Sequence, residues 1–164
     1  MRRKGQRGNS LLEAALYLPV LFMLLFGMIE LAKVAYTYYA LQKVLYTVGR
    51  YVGTQRGINF CDDVDGVIDL AKQYAISGTP DGTEPFIRNL QADQIDVRIE
   101  RFDSTEIGEC ECSATGCDTT AGGRGPDYVV VSIPDGYPLQ LAIPQVPLDP
   151  ILLRPRIRLP FQGM

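Results

Sequence analysis

The side chains able to do chemistry are few, and their types narrow the field at once. Histidine is absent from the 164 residues. That removes the usual general base and the imidazole ligand of most catalytic zinc sites. The serine–histidine and cysteine–histidine hydrolase mechanisms go with it. Four cysteines remain, Cys61, Cys110, Cys112 and Cys117. An even number in a domain outside the cytoplasm points to two disulfides at most, with three possible connectivities. A zinc site is the alternative, but only Cys112 and Cys117 have a C-x2-4-C spacing, and neither a second such pair nor a histidine accompanies them. Disulfides are therefore the favoured reading. Acids are paired at Asp62 with Asp63 and at Glu109 with Glu111. No glycine-rich phosphate loop or hydrolase elbow accompanies them, so they read as solvated surface. Asp63-Val-Asp65-Gly66 lacks the remaining ligands of a calcium loop and reads as charge at a helix start. No catalytic residue, metal or cofactor is expected.

A different kind of chemistry sits at the N-terminus, in Arg7-Gly8-Asn9-Ser10-Leu11-Leu12-Glu13. A basic stretch (Arg2, Arg3, Lys4, Arg7) ends in glycine, and a lone glutamate follows five residues later at the threshold of an apolar run. A carboxylate there is costly without a partner. Cleavage after Gly8 would create an ammonium at Asn9, one helical turn from Glu13. Opposite charges would then be within reach, in one chain or between neighbouring helices. An ordinary secretory signal fits less well. Its apolar region is about 7 to 15 residues and ends in a small-residue cleavage site.

The elements that must position these groups begin with that run. Leu11 to Ala32 is close to the roughly 20 residues, at about 1.5 Å each, that cross a bilayer core. Its polar exceptions, Glu13 and Glu30, lie near its ends, and Pro19 is tolerable inside a membrane helix. The basic N-terminus places that end in the cytoplasm and the rest of the chain outside. The same basic patch lacks interleaved aromatics and abuts an apolar run, so nucleic acid is not an expected partner. Beyond the run, Leu31, Val34, Ala35, Tyr38, Leu41, Leu45, Val48 and Val52 recur at three- and four-residue steps, so the helix continues outward to about Val52. Tyr36, Tyr38 and Tyr39 fall where an aromatic belt meets the headgroups. Gly53 and Gly57 mark its end.

A short helix is predicted over Val64–Ser77, with Asp62 and Asp63 as caps and Gly78 as its stop. Ile95 to Glu100 alternates as a half-buried strand. Residues 103–127 form a long loop that carries three of the cysteines and needs a staple. Tyr128–Ile133 is a second strand closed by the turn Pro134-Asp-Gly136. Prolines 138, 144, 147 and 150 exclude long helices. Ile151–Leu159 adds an edge strand whose Arg154, Arg156 and Arg158 blunt the edge rather than bind a ligand. The fold class is thus α+β: a long N-terminal membrane-spanning helix extended into a stalk, with a short helix and a small antiparallel sheet in an exported domain. The expected divisions are a leader at 1–8, a transmembrane helix at 9–32, its continuation at 33–56 and the exported domain at 57–164.

Arg7-Gly8, then Leu12-Glu13-Ala14-Ala15-Leu16, Leu18-Pro19 and Phe26-Gly27-Met28-Ile29-Glu30, resemble the N-terminal signature of TadE-like proteins. These are pseudopilins of the tight-adherence (Tad, or Flp) pilus system. Ala14 departs from the bulky residue that often follows the family's glutamate. The resemblance implies that Gly8 is the last leader residue cut by a prepilin peptidase, that Asn9 is the mature N-terminus, and that Glu13 supports processing or assembly. It implies as partners the lipid bilayer, that peptidase, other pilin-like subunits and Tad secretion components. It also implies a place in the bacterial inner membrane, or in the pilus, with the C-terminal domain periplasmic or extracellular. Small residues Ala14, Ala15 and Gly27 would let neighbouring helices approach closely. The competing expectation is a membrane-anchored envelope binding domain unrelated to pili, whose leader would stay attached.

Overall fold

One helix, α1 (Gln6–Thr54), runs through nearly a third of the chain. The computed structural model describes residues 6–62, 66–79, 85–103, 106–142 and 149–163, with 6–10 and 103 as backbone only. Most of the basic leader, Arg2 to Lys4 included, lies outside these residues, as do Asp63 and Asp65.

Two kinds of surface divide α1. From Leu11 to Ile29 every side chain is exposed, Met23 as much as 80%. The first covered residue is Glu30, at 8%. Farther along, Leu41, Val44, Leu45, Val48 and Val52 are buried at the three- and four-residue spacing of a helix face. Leu31, Ala35 and Tyr38, expected on the same covered face, are exposed instead. The reason is geometric: the elements packed on α1 are α2, β3 and β6, which lie against its C-terminal part.

The second helix, α2 (Val67–Ser77), begins three residues later than its apolar pattern predicts. Gly66 takes the N-cap position at φ 62°, so the cap is not the predicted Asp62, four residues earlier, while Asp63 lies outside the described residues. A left-handed residue interrupts helical backbone, and glycine adopts it without a Cβ penalty. Gly78 ends the helix as expected, donating its N–H to the Tyr74 carbonyl at 2.7 Å.

The remaining strands are β1 (Asp96–Asp103), β2 (Glu106–Glu109), β3 (Tyr128–Ser132), β4 (Tyr137–Leu139), β5 (Ile151–Leu153) and β6 (Arg156–Pro160). Four of them form an antiparallel sheet in the order β2-β1-β3-β6, and β4 and β5 pair separately. Val129 and Val131 are wholly buried in the core with Leu45, Val48 and Val52 of α1. Gly49 is a point of close approach: a Cβ there would lie 2.8 Å from Leu159 Cδ1 and 3.2 Å from Val131 Cγ2.

Three expectations change. The loop at 103–127 contains a strand, β2, hydrogen-bonded to β1 as a hairpin. All four of its residues are exposed, so it buries no face and leaves no hydrophobic pattern to read. The proline-rich stretch contributes β4, where Pro138 sits in a two-stranded ladder that leaves its missing N–H harmless. The single edge strand expected at 151–159 is two strands, β5 and β6, separated at Arg154-Pro155 and belonging to different sheets.

Candidate membrane and assembly segment

Gly8 and Asn9 lie in the first turns of α1, and Glu13 follows one turn later, exposed beside the equally exposed Leu12, Leu16 and Tyr17. The helical path keeps residues 9 and 13 on one face. Among the described residues Glu13 has no ion-pair partner. Pro19 supplies no N–H to the Ala15 carbonyl one turn back, leaving a second polar atom of this segment without its helical bond. Ala14, Ala15 and Gly27 are exposed on the same bare stretch, and a Cβ at Gly27 would meet nothing within 4 Å. This part of the helix therefore has its apolar surface, its small residues and its lone carboxylate all facing outward.

Glu30 closes that stretch in a way the sequence did not disclose. Its carboxylate accepts from Lys33 Nζ at 3.0 Å through Oε1 and from the Ala142 backbone N–H at 3.3 Å through Oε2. The first contact is a local i,i+3 pair. The second ties α1 to a residue more than a hundred positions away. Its only sequence signal is a lone acid at the end of Phe26-Gly27-Met28-Ile29-Glu30.

The cysteines are paired Cys61–Cys112 and Cys110–Cys117, with Cα separations of 5.4 and 5.8 Å. With all four sulfurs in disulfides, no thiolate is left for the zinc alternative. The first pair joins the segment after α1 to the residues after β2. The second closes a tight loop in which Cys117 N–H donates to the Glu111 carbonyl at 2.9 Å. Arg101 braces that loop from β1, donating from Nη2 to the carbonyls of Gly116 and Arg124.

Asp118 locks the loop to the segment that follows α1. It accepts from Thr120 Oγ1 at 2.7 Å, from the N–H groups of Thr120 and Ala121, and from Asn59 Nδ2 at 3.2 Å. The Thr120 hydroxyl, then the Ala121 N–H, hold its carboxyl below the ordinary aspartate range, because they stabilise the ionised form. A depressed folded-state pKa stabilises above the unfolded value and is lost as pH falls through the folded one. The Asn59–Asp118 junction should thus stay closed through the ordinary carboxylate range and loosen only below it. An NMR titration of the Thr120 and Ala121 amides checks this. A midpoint at or above the free aspartate value would contradict it, and D118N should abolish the transition.

Arg156 and Arg158 were expected only to blunt an edge. β6 is indeed an edge strand, but both guanidinium groups converge on buried Glu100 of β1, reaching across β3. Arg156 Nη2 lies 2.7 Å from Oε1 and Arg158 pairs with Oε2. Arg158 also stands 5.5 Å over the Tyr128 ring. The arrangement is a structural clamp on the sheet's outer face.

A cavity of about 710 Å³ lies between α1 and α2, lined among others by Tyr36, Lys43, Tyr74, Phe86, Arg88 and Tyr137. Its described lining contains no acid, cysteine or serine. Asp62 and the pair Glu109 and Glu111 stand away from it, and no group of three or more metal-ligating side chains occurs among the described residues.

Residues 8–50 match the family described as TadE-like protein. The match covers most of α1, including Gly8, Glu13 and Glu30, and leaves both sheets and both disulfides outside it. No curated protein and no solved structure matches the chain.

Proposed function

We propose, from the premise that residues 8–50 make this a TadE-like chain, that it is a minor pilin or pseudopilin taking part in assembly of a Tad (Flp-type) pilus at the bacterial cell envelope. The observation that carries the reading is the division of α1. One continuous helix is the core of a folded domain at its C-terminal end and wholly uncovered at its N-terminal end, from Leu11 to Ile29. Those residues extend over about 28 Å, the thickness of a bilayer core. They are long and apolar enough to cross a membrane once. In the proposed life of the protein the bilayer covers this surface first, and the helices of other pilin-like subunits cover it later. Ala14, Ala15 and Gly27 allow close approach there.

Processing fits the same frame. Hydrolysis of the Gly8–Asn9 peptide bond by a prepilin peptidase releases residues 1–8 with a carboxylate at Gly8 and leaves an ammonium on Asn9. An acid in the membrane costs about 2.5–3.5 kcal/mol on insertion scales. An opposite charge at about 4 Å in a medium of effective dielectric near 20 returns roughly 4 kcal/mol, enough to offset it. Glu13 thereby favours a neighbouring mature N-terminus over isolation in lipid. The basic leader sets the N-terminus in the cytoplasm and the folded domain on the far side, periplasmic or extracellular, before it is removed.

The mass of the purified membrane protein tests this, in cells with and without the peptidase. Loss of residues 1–8 only where the peptidase is active is expected, and G8L should retain the leader. E13L should leave the protein in the membrane fraction and out of sheared pili. An intact N-terminus beside an active peptidase would favour a permanently anchored binding domain instead.

A further inference from the structure

The β4–β5 hairpin is the part of the molecule that the pilin reading leaves without a task. It hangs from the lower edge of the main sheet, where Ser132 pairs with Arg156 and the Ile133 N–H donates to the Pro155 carbonyl at 3.3 Å. β6 leaves that edge toward the C-terminal end of α1, since the Gln162 N–H donates to the Gly53 carbonyl at 2.9 Å. The hairpin runs the other way, toward the bare half of α1. Tyr137 pairs with Leu153 nearest the sheet and Leu139 with Ile151 farthest from it. Three residues on, the Ala142 N–H meets Glu30 Oε2 at 3.3 Å. Glu30 is the first covered residue after the uncovered run. The far end of the hairpin therefore lies level with the point where α1 leaves its apolar stretch.

The described residues near that end are apolar and partly exposed. Ile151 is 43% and Leu152 50% exposed, with Leu141 and Leu139 half-buried nearby. Between Gly136 and Leu153 the sequence holds a single charged residue, Asp149. Exposed aliphatic side chains at the exit of a membrane helix have one large apolar phase beside them. A paired hairpin still carries unpaired backbone groups on its outer edges, which cannot enter the hydrocarbon core but are satisfied among headgroups. Asp149 imposes the same depth limit.

We propose that the exposed Ile151 and Leu152 of β5 are a second membrane contact. Ile151 and Leu152 rest at the headgroup–acyl boundary on the ectodomain side, and Glu30 pins the hairpin to the helix at that level. The proposal rests on the reading of α1 as a membrane span. With two contacts the domain has a fixed tilt on the bilayer, which a lone helix would not give it. Extraction of the subunit from the membrane must then peel the hairpin from lipid as well as withdraw the helix.

The chain contains no tryptophan, so single reporters are unambiguous. The full chain is reconstituted in vesicles of phosphatidylcholine and phosphatidylglycerol whose acyl chains are brominated at shallow or deep positions. The variants are L152W at the hairpin, F22W in the span and F102W, 55% exposed at the end of the main sheet away from the hairpin. I151W repeats the hairpin measurement at a second exposed site. Insertion by about 5–10 Å should quench L152W at least about twofold more with shallow than with deep bromine. F22W should be quenched by deep bromine and F102W by neither. If L152W and I151W behave like F102W while F22W is quenched, the hairpin stands clear of the bilayer: the proposal falls and the membrane span survives. If F22W is unquenched too, both fall. Unquenched but blue-shifted L152W emission that strengthens with protein-to-lipid ratio would assign the surface to a second copy and overturn the proposal.

Discussion

A chain carrying C61S together with C112S should lose about 4 kcal/mol of stability in its folded domain, the entropy of closing a loop across a separation of 51 residues. The same relation gives only about 2.5 kcal/mol for C110S with C117S, whose separation is 7. Denaturant midpoints of the full chain in detergent, followed by near-ultraviolet tyrosine dichroism, check the order as well as the size. The long-range pair should dominate because it ties the residues after α1 to the residues after β2, segments that otherwise meet through a few side chains. Among the described residues Asn59 still bonds Asp118 and Thr120 when it is removed, and Phe60, edge-on at 5.5 Å to Phe161 after β6, still anchors the same segment to the sheet. These contacts should keep the C61S/C112S protein folded in the cold and fail well below the wild-type transition. An equal or larger loss from the short pair would show that strain or burial outweighs loop entropy here. Cys117 is the buried member of that pair, at 1% exposure.

Gly49 separates two effects of opposite sign. Alanine there gains about 1 kcal/mol of helix propensity. Its Cβ arrives 2.8 Å from Leu159 Cδ1, the end of a side chain that can turn aside. G49A should therefore be close to neutral. G49L drives three further carbons into the contact between α1 and the sheet, where Val131 is wholly buried. Overpacking of that kind costs about 1–3 kcal/mol or more. A loss near the upper figure lowers Tm by roughly 10–20 °C for a domain of this size. Far-ultraviolet helicity should survive in G49L while the tyrosine signal melts early, because α1 persists in detergent after the sheet has left it. Coincident loss of both would place the helix and the sheet in one cooperative unit.

These two experiments probe joints that differ in how visible they are from sequence. The uncovered run of α1 is legible because an apolar stretch of bilayer length needs no tertiary partner to be recognised. The buried face from Leu41 to Val52 is legible because helical spacing is written locally. β1 and β3 are legible for the same reason, one by alternation and the other by its unbroken Tyr128-Val-Val-Val-Ser132. β2 is not, since a fully exposed edge strand has no face to mark. β5 and β6 merge in the sequence because the alternating arginines mask the break at Pro155, and only the sheet pairing separates them.

The candidate site divides along the same line. Gly8, Asn9 and Glu13 stand out by spacing within about a turn and a half of helix, and the family resemblance extends no farther than the helix that contains them. By itself the sequence thus determined a long apolar helix, its polarity of charge, a cysteine count that calls for two bonds and the α+β class, all of them properties of neighbours along the chain. Tertiary structure alone decided which cysteines pair, that Arg156 and Arg158 converge on Glu100, and that Glu30 meets Ala142. Each of these joins residues far apart in sequence. Such contacts depend on how the whole chain closes its core, and no local period encodes which distant partner will be brought within hydrogen-bonding distance.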